Sequence, residues 1–203
     1  MARFVITGTG TGIGKTVFAA GLCGLIGADY WKPLQSGLAD GLDADCVAGL
    51  SGARIWPEAY RLRQPLSPHR AAELDGVTID AAALTPPDAP SLVIEGAGGA
   101  LVPVTRQMLF ADLFADWGIP VVVVATTGLG TISHTLTALE SLRARGVPLH
   151  GVAFVGDDNP DNIATIGQMG AVRVLGRLPR LDPLDRAGLS AAMARHFNPQ
   201  DFA

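Results

Sequence analysis

Short, strongly apolar runs recur along the chain, and most are followed by stretches with helical spacing. Arg3 to Thr7 predicts a first strand, and Gly14 to Ile26 after it predicts a helix rich in helix formers. Tyr30-Trp31-Lys32 predicts a short second strand closed by Pro33, and Ser91 to Glu95 a third. Ile119 to Thr126 is a continuous apolar fourth, Val147 to Val155 a fifth and Val172 to Leu175 a sixth. Helical patterns lie between and after them, over Thr131 to Arg145 and Leu184 to His196. Val121-Val122-Val123-Val124 has no polar alternation, the mark of a strand buried on both faces, which parallel sheets produce. The alternation predicts an α/β fold: a doubly wound, mainly parallel sheet with helices on both faces. Such sheets bind ligands beyond the carboxyl ends of their strands. Gln64 to Pro90, with several prolines, shows neither period and reads as a long excursion.

The chain has 203 residues, enough for one domain over 1–203 with a sizeable core. A formal net charge of −4 gives no basic face for nucleic acid. The apolar runs are far shorter than the roughly 20 residues that span a bilayer. Met1-Ala2-Arg3-Phe4-Val5-Ile6 passes straight into a glycine loop without the apolar stretch of a signal peptide. These features predict a cytoplasmic protein. The two cysteines, Cys23 and Cys46, do not make a disulfide framework or a metal knuckle, and Cys23 fits a small core position.

Chemistry enters where the first strand ends, at Gly8-Thr9-Gly10-Thr11-Gly12-Ile13-Gly14-Lys15-Thr16. Glycines let backbone N–H groups turn inward around phosphates, and the following helix points its positive end at them. In a Gly-Lys-Thr ending the lysine reaches the β- and γ-phosphates and the threonine hydroxyl can ligate Mg2+. The fold expected is therefore P-loop NTPase-like. The usual signature has four residues between its glycines, whereas Gly8 to Gly14 encloses five. By itself the loop implies a nucleoside triphosphate and no particular reaction.

Lys32, at the end of the second strand, would enter the same crevice from a neighbouring strand, while by itself it also suits a surface lysine at a strand terminus. Asp43 and Asp45 follow, and either also suits a helix N-cap or a first-turn acid. Leu92-Val93-Ile94-Glu95-Gly96-Ala97-Gly98-Gly99 is an apolar strand ending in one carboxylate and a turn that permits close backbone approach to a ligand. Glu95 is thus placed for Mg2+ opposite the phosphate loop.

Together these stretches resemble the dethiobiotin synthetase family. The resemblance runs over most of the chain: Gly8-Thr9-x-Thr11-x-x-Gly14-Lys15-Thr16, Lys32-Pro33-x-x-Ser36-Gly37, Asp45, Ser67-Pro68-His69, Glu95-Gly96-Ala97-Gly98-Gly99 and Leu175-Gly176-x-x-Pro179. The five-residue gap in the loop is the family's own form. The resemblance implies an ATP-dependent ligase of biotin synthesis acting on 7,8-diaminononanoate and CO2, with ATP as co-substrate and Mg2+ as cofactor. It implies Lys15 and Lys32 as the catalytic cations, and Thr16, Asp45 and Glu95 as metal ligands, with Asp43 the rival of Asp45. Gly12, Ile13, Gly14, Lys15, Thr16, Val17, Glu95 and Gly98 would hold the nucleotide, with Pro179, Arg180 and Leu181 near its base. Thr11 and Ser36 would contact the diamine. Gly130 and Ser133, at a helix start, would bind its carboxylate across a homodimer, where the family often has Asn in place of Ser133. His69 and His134 match as positioning residues.

The chain departs from many members at the end of the fifth strand. Where they have Asn-Asp, whose amide reads adenine, Val155 and Gly156 stand, and acids arrive only at Asp157 and Asp158, before Asn159. Nucleotide preference is therefore open. Two other readings use the same loop: a nucleotide-switch ATPase and a related amidoligase. A switch ATPase usually carries an extra lysine early in the loop, where Thr9 and Gly10 stand here, and it gives no reason for Lys32-Pro33-x-x-Ser36-Gly37.

Overall fold

The computed structural model describes residues 2–39 and 41–203. β1 (Arg3–Gly8) runs into the glycine loop and then α1 (Lys15–Ile26). β2 (Asp29–Trp31), β3 (Leu34–Ser36), α2 (Asp43–Ser51), β4 (Ile55–Trp56), β5 (Tyr60–Leu62) and α3 (Pro68–Asp75) follow. A 3-10 turn at Ala81–Leu84 leads to β6 (Leu92–Gly99), α4 (Phe110–Trp117), β7 (Val121–Thr126) and α5 (Thr131–Arg143). Last come β8 (Leu149–Val155), α6 (Pro160–Met169), β9 (Val174–Leu178), α7 (Arg186–His196) and a 3-10 turn at Pro199–Phe202.

The main sheet has seven strands in the order β4-β2-β6-β1-β7-β8-β9, all paired in parallel, and β3 pairs with β5 separately. Strand alternation divides the core in two. Val121 and Val123 face one layer, with Phe110, Phe114, Leu139 and Ile166 from the helices over it. Val122 and Val124 face the other, with Phe18, Val47, Leu189 and Phe202. Helices α1, α2 and α7 therefore cover one face, and α3, α4, α5 and α6 the other. This is the doubly wound sheet the hydrophobic pattern predicts.

The differences are local. β2 stops at Trp31 rather than Lys32, because the chain turns at Pro33, which has no N–H for the ladder. The sixth strand lies over Val174–Leu178 rather than Val172–Leu175. β3, β4 and β5 have two or three residues each, too few to show a period. The 64–90 excursion contains α3, which opens on Pro68 and buries Ala71 and Ala72 against the core. It is tied down further on, where Trp117 Nε1 donates to the Leu84 carbonyl at 2.9 Å.

Register positions the site. β1 and β6 pair with Ile6 beside Glu95, and β2 and β6 with Tyr30 beside Val93. Side chains repeat every two residues along a strand, so Ile6, Tyr30, Val93 and Glu95 share the α1 face of the sheet.

Candidate active site

The loop after β1 closes on α1 through Gly14, whose φ of 96° is the left-handed region that favours glycine. A Cβ there would also lie 2.8 Å from Val155 Cγ1, so the end of β8 packs directly against the loop. The amino end of α1 presents the helix's positive pole to whatever the loop holds. Lys15 is buried, and its Nζ donates to the Gly10 carbonyl at 2.7 Å. Burial lowers the pKa of this ammonium; the Glu95 charge opposes the shift and Lys32 adds to it. A cation so placed gains most from an arriving polyphosphate.

Glu95, 1% exposed, is the hub behind the loop. Its Oε1 accepts from Thr16 Oγ1 at 2.9 Å and from Lys32 Nζ at 3.3 Å, and its Oε2 accepts from Tyr30 Oη at 2.8 Å. Lys32 Nζ also lies 2.6 Å from Asp43 Oδ2. Burial would lower the Lys32 pKa, but Glu95 and Asp43 outweigh it and hold the ammonium above its ordinary range. Burial, reinforced by Glu95, also holds the Tyr30 phenol well above its ordinary pKa.

These groups open onto a cleft of about 650 Å³. Thr11, Gly12, Ile13, Gly14, Val17 and Gly98 line its loop side. Gly98, at φ 68°, passes so close that a Cβ would lie 2.8 Å from Val102 Cγ2 and 3.5 Å from Thr11 Oγ1. Ser36 lines the other side, and its Oγ is buried without a hydrogen-bond partner among the described residues. Pro65 to Pro68, from the excursion, complete that wall.

The structure does not bring Asp45 to the cleft. It is exposed on α2, while Asp43 faces Lys32. Two residues apart on a helix is about 200° around its axis, so only one of the pair can face inward. Asp43 therefore replaces Asp45 in the cluster.

Gln35 and Tyr30 are the site residues that the motifs did not point to. Gln35 Nε2 donates to the Ser36 and Gly37 carbonyls at 3.3 and 3.2 Å, and its Oε1 accepts from the Asp43 N–H at 3.4 Å. It thereby joins the lysine loop to the start of α2. The only signal for it was its place inside Lys32-Pro33-x-x-Ser36-Gly37.

Other predicted residues lie elsewhere. Arg180 borders a second cavity of about 350 Å³ with Val155 and Gly156, and its Nε lies 3.7 Å from Asp157 Oδ1. Pro179 flanks it at the end of β9, and Leu181 packs on the core. Asn159 does not supply a free amide there, because its Oδ1 caps α6 through the Asn162 N–H and its Nδ2 donates to the Thr127 carbonyl at 3.0 Å. Gly130 and Ser133 are exposed at the start of α5, away from the cleft of this chain. Ser67 and His69 bond each other at 3.0 Å, and His134 lines a third cavity, bordered by Gly8 to Thr11 of the loop and by Gly99 to Val102. Among the described residues no three His, Cys, Asp or Glu side chains form a metal cluster of their own.

The family model described as AAA domain matches residues 2–188. The ATP-dependent dethiobiotin synthetase BioD of Novosphingobium aromaticivorans is 60% identical over 206 residues, covering all of this chain and all of that protein. The chain belongs to the dethiobiotin synthetase family. A dethiobiotin synthetase from Rhizorhabdus wittichii is 58% identical over 98% of this chain and 97% of its own length. The cell division ATPase MinD of Pyrococcus furiosus superposes with a TM-score of 0.58 at 13% identity, over 95% of this chain and 89% of that one. That likeness concerns the fold alone.

Proposed function

We propose that this chain closes the ureido ring of dethiobiotin from 7,8-diaminononanoate, CO2 and ATP. One amine captures CO2 as a carbamate and loses a proton. A carbamate oxygen attacks the γ-phosphorus, ADP leaves, and a carbamic–phosphoric anhydride forms. The second amine attacks the activated carbon, the ring closes and phosphate departs. The substrate supplies both nucleophiles, so the protein contributes positioning and charge neutralisation.

The observation that carries this reading is the convergence of two buried cations, Lys15 from the phosphate loop and Lys32 from the end of β2, on one cleft. Lys15 neutralises the terminal phosphate, and Lys32 exchanges its contact with Asp43 for the carbamate and the phosphoryl group in transit. Ser36, with its unpartnered hydroxyl, holds the diamine, together with Thr11.

Mg2+ belongs to the same reading. The donors fit it: the Thr16 hydroxyl and the Glu95 and Asp43 carboxylates are hard oxygens beside the phosphate loop, and a set this small suits an ion that keeps phosphate and water ligands. When bound it would neutralise charge on the β- and γ-phosphate oxygens.

A homodimer completes the site in this reading. Leu129 is fully exposed beside Gly130 at the start of α5, and Leu101 is exposed near His134, an apolar surface next to the residues assigned to the diamine's carboxylate. With ¹³C-bicarbonate, diamine and ATP, the protein forms dethiobiotin carrying one ¹³C in the ureido carbonyl, read by mass spectrometry. Unlabelled product or none refutes the reading.

A further inference from the structure

We infer that Tyr30 is a positioning residue that holds the Glu95 carboxylate in place for the metal. The inference rests on the reading that Glu95 serves Mg2+.

Tyr30 sits on β2 opposite Val93 of β6, on the sheet face that also carries Glu95 two residues on. Its ring is fully buried under α1, and its hydroxyl donates to Glu95 Oε2 at 2.8 Å. The other carboxylate oxygen, Oε1, serves Thr16 and Lys32 together. Three donors thus fix the carboxylate, and they are not equivalent. Thr16 and Lys32 line the ligand cleft and turn to metal, phosphate and carbamate when these bind. Tyr30 does not line the cleft and has no ligand to turn to. During turnover it is the one donor of the three that stays on Glu95, so it would keep the carboxylate oriented for a metal beside the phosphate loop.

A tyrosine kept only to fill the core makes a different prediction. Its hydroxyl would need an acceptor, and losing it would change stability alone. Groups that orient a metal's ligand typically change metal affinity or activity by about 10-fold to 100-fold when removed.

The test is Mn2+ binding to the protein with a non-hydrolysable ATP analogue, followed by electron paramagnetic resonance. Tyr30→Phe weakens Mn2+ binding about 10-fold and raises the Mg2+ needed for half-maximal ring closure in step, with the diamine KM unchanged. Val93→Ala loosens the packing beside the ring without touching the hydrogen bond, so it lowers Tm and leaves Mn2+ affinity as it is. Placing 4-aminophenylalanine at position 30 keeps an N–H donor, weaker than the phenol, and gives affinity between those of wild type and Tyr30→Phe. If Tyr30→Phe does not fold, this variant decides alone: binding weaker than wild type supports the inference, and unchanged binding overturns it. Glu95→Gln separates the two layers. If it weakens Mn2+ binding while Tyr30→Phe leaves it unchanged, Tyr30 is a core phenol and the inference is wrong. If Glu95→Gln also leaves Mn2+ binding unchanged, the metal role of Glu95 falls and the inference falls with it.

Discussion

Lys32 Nζ lies 2.6 Å from Asp43 Oδ2, and this contact brings the start of α2 onto the carboxyl end of β2. The lysine is 4% exposed and its partner 35%, so the pair opens toward the cleft from the carboxylate side. A buried ammonium gripped by two carboxylates is stable at rest and ready to exchange one of them for an incoming anion.

Lys32→Gln removes the charge proposed to meet the transferred phosphoryl group. Loss of one such donor typically costs about 10²–10³-fold in turnover. The glutamine keeps a hydrogen-bond donor, and Tyr30 and Thr16 still hold Glu95, so the protein folds cooperatively with a lowered Tm. Near-normal ring closure in a folded Lys32→Gln protein removes Lys32 from the mechanism.

Asp43→Asn and Asp45→Asn separate the two acids of α2. Asp43→Asn raises the Mg2+ required for half-maximal activity, because the carboxylate in the cleft is lost. Asp45→Asn leaves it near wild type, because that side chain faces solvent. A Mg2+ titration of both variants decides, and the reverse order contradicts the placement.

The contrast between these two acids shows where sequence reasoning stops. The loop from Gly8 to Thr16, Lys32 and Glu95 were legible because each sits in a local pattern tied to a strand end. Choosing between Asp43 and Asp45 needs the phase of α2, which is set by Ala44 and Val47 packing into the core, with the Asp43 N–H donating to Gln35 Oε1 at 3.4 Å. Tyr30 read as a strand residue, since its partner is 65 positions away and only the β2–β6 register brings them together. The excursion showed neither period because its helix α3 has only eight residues. The sheet itself was legible, since a run such as Val121 to Val124 carries its burial in its composition.

Base recognition gives the next expectation. Val155 offers no side-chain hydrogen bond, and it packs against the loop at Gly14. Asn159 spends its amide on α6 and Thr127. Discrimination of a base rests on matched hydrogen bonds that a wrong base leaves unpaired. The chain is therefore expected to use CTP and GTP alongside ATP, as measured by competition at equal concentrations. Strict use of ATP shows that another group reads the base.

A pH effect on stability follows from His150. Its Nε2 donates to the Asp201 carbonyl at 2.7 Å, and its ring packs between Phe4 and Phe202. Burial lowers its pKa, with Arg173 acting in the same sense and Asp201 against it. The unfolded chain then binds the proton more readily, so this stability is present above the ordinary histidine value of about 6.5 and is lost as pH falls from there toward the lowered folded value. Thermal unfolding of His150→Gln is expected to lack that part of the pH dependence. An unchanged slope in the variant contradicts the assignment.

The central claim is that this P-loop spends ATP on joining CO2 to a diamine, and its most direct test is the dependence of ATP hydrolysis on both partners. Phosphate release is measured with ATP and Mg2+ alone, with bicarbonate, with 7,8-diaminononanoate, and with both. The account predicts rapid release only with both together, one phosphate per dethiobiotin formed, and loss of that response in Lys32→Gln. Hydrolysis indifferent to bicarbonate and diamine would mark a nucleotide switch on the same fold and would contradict the account.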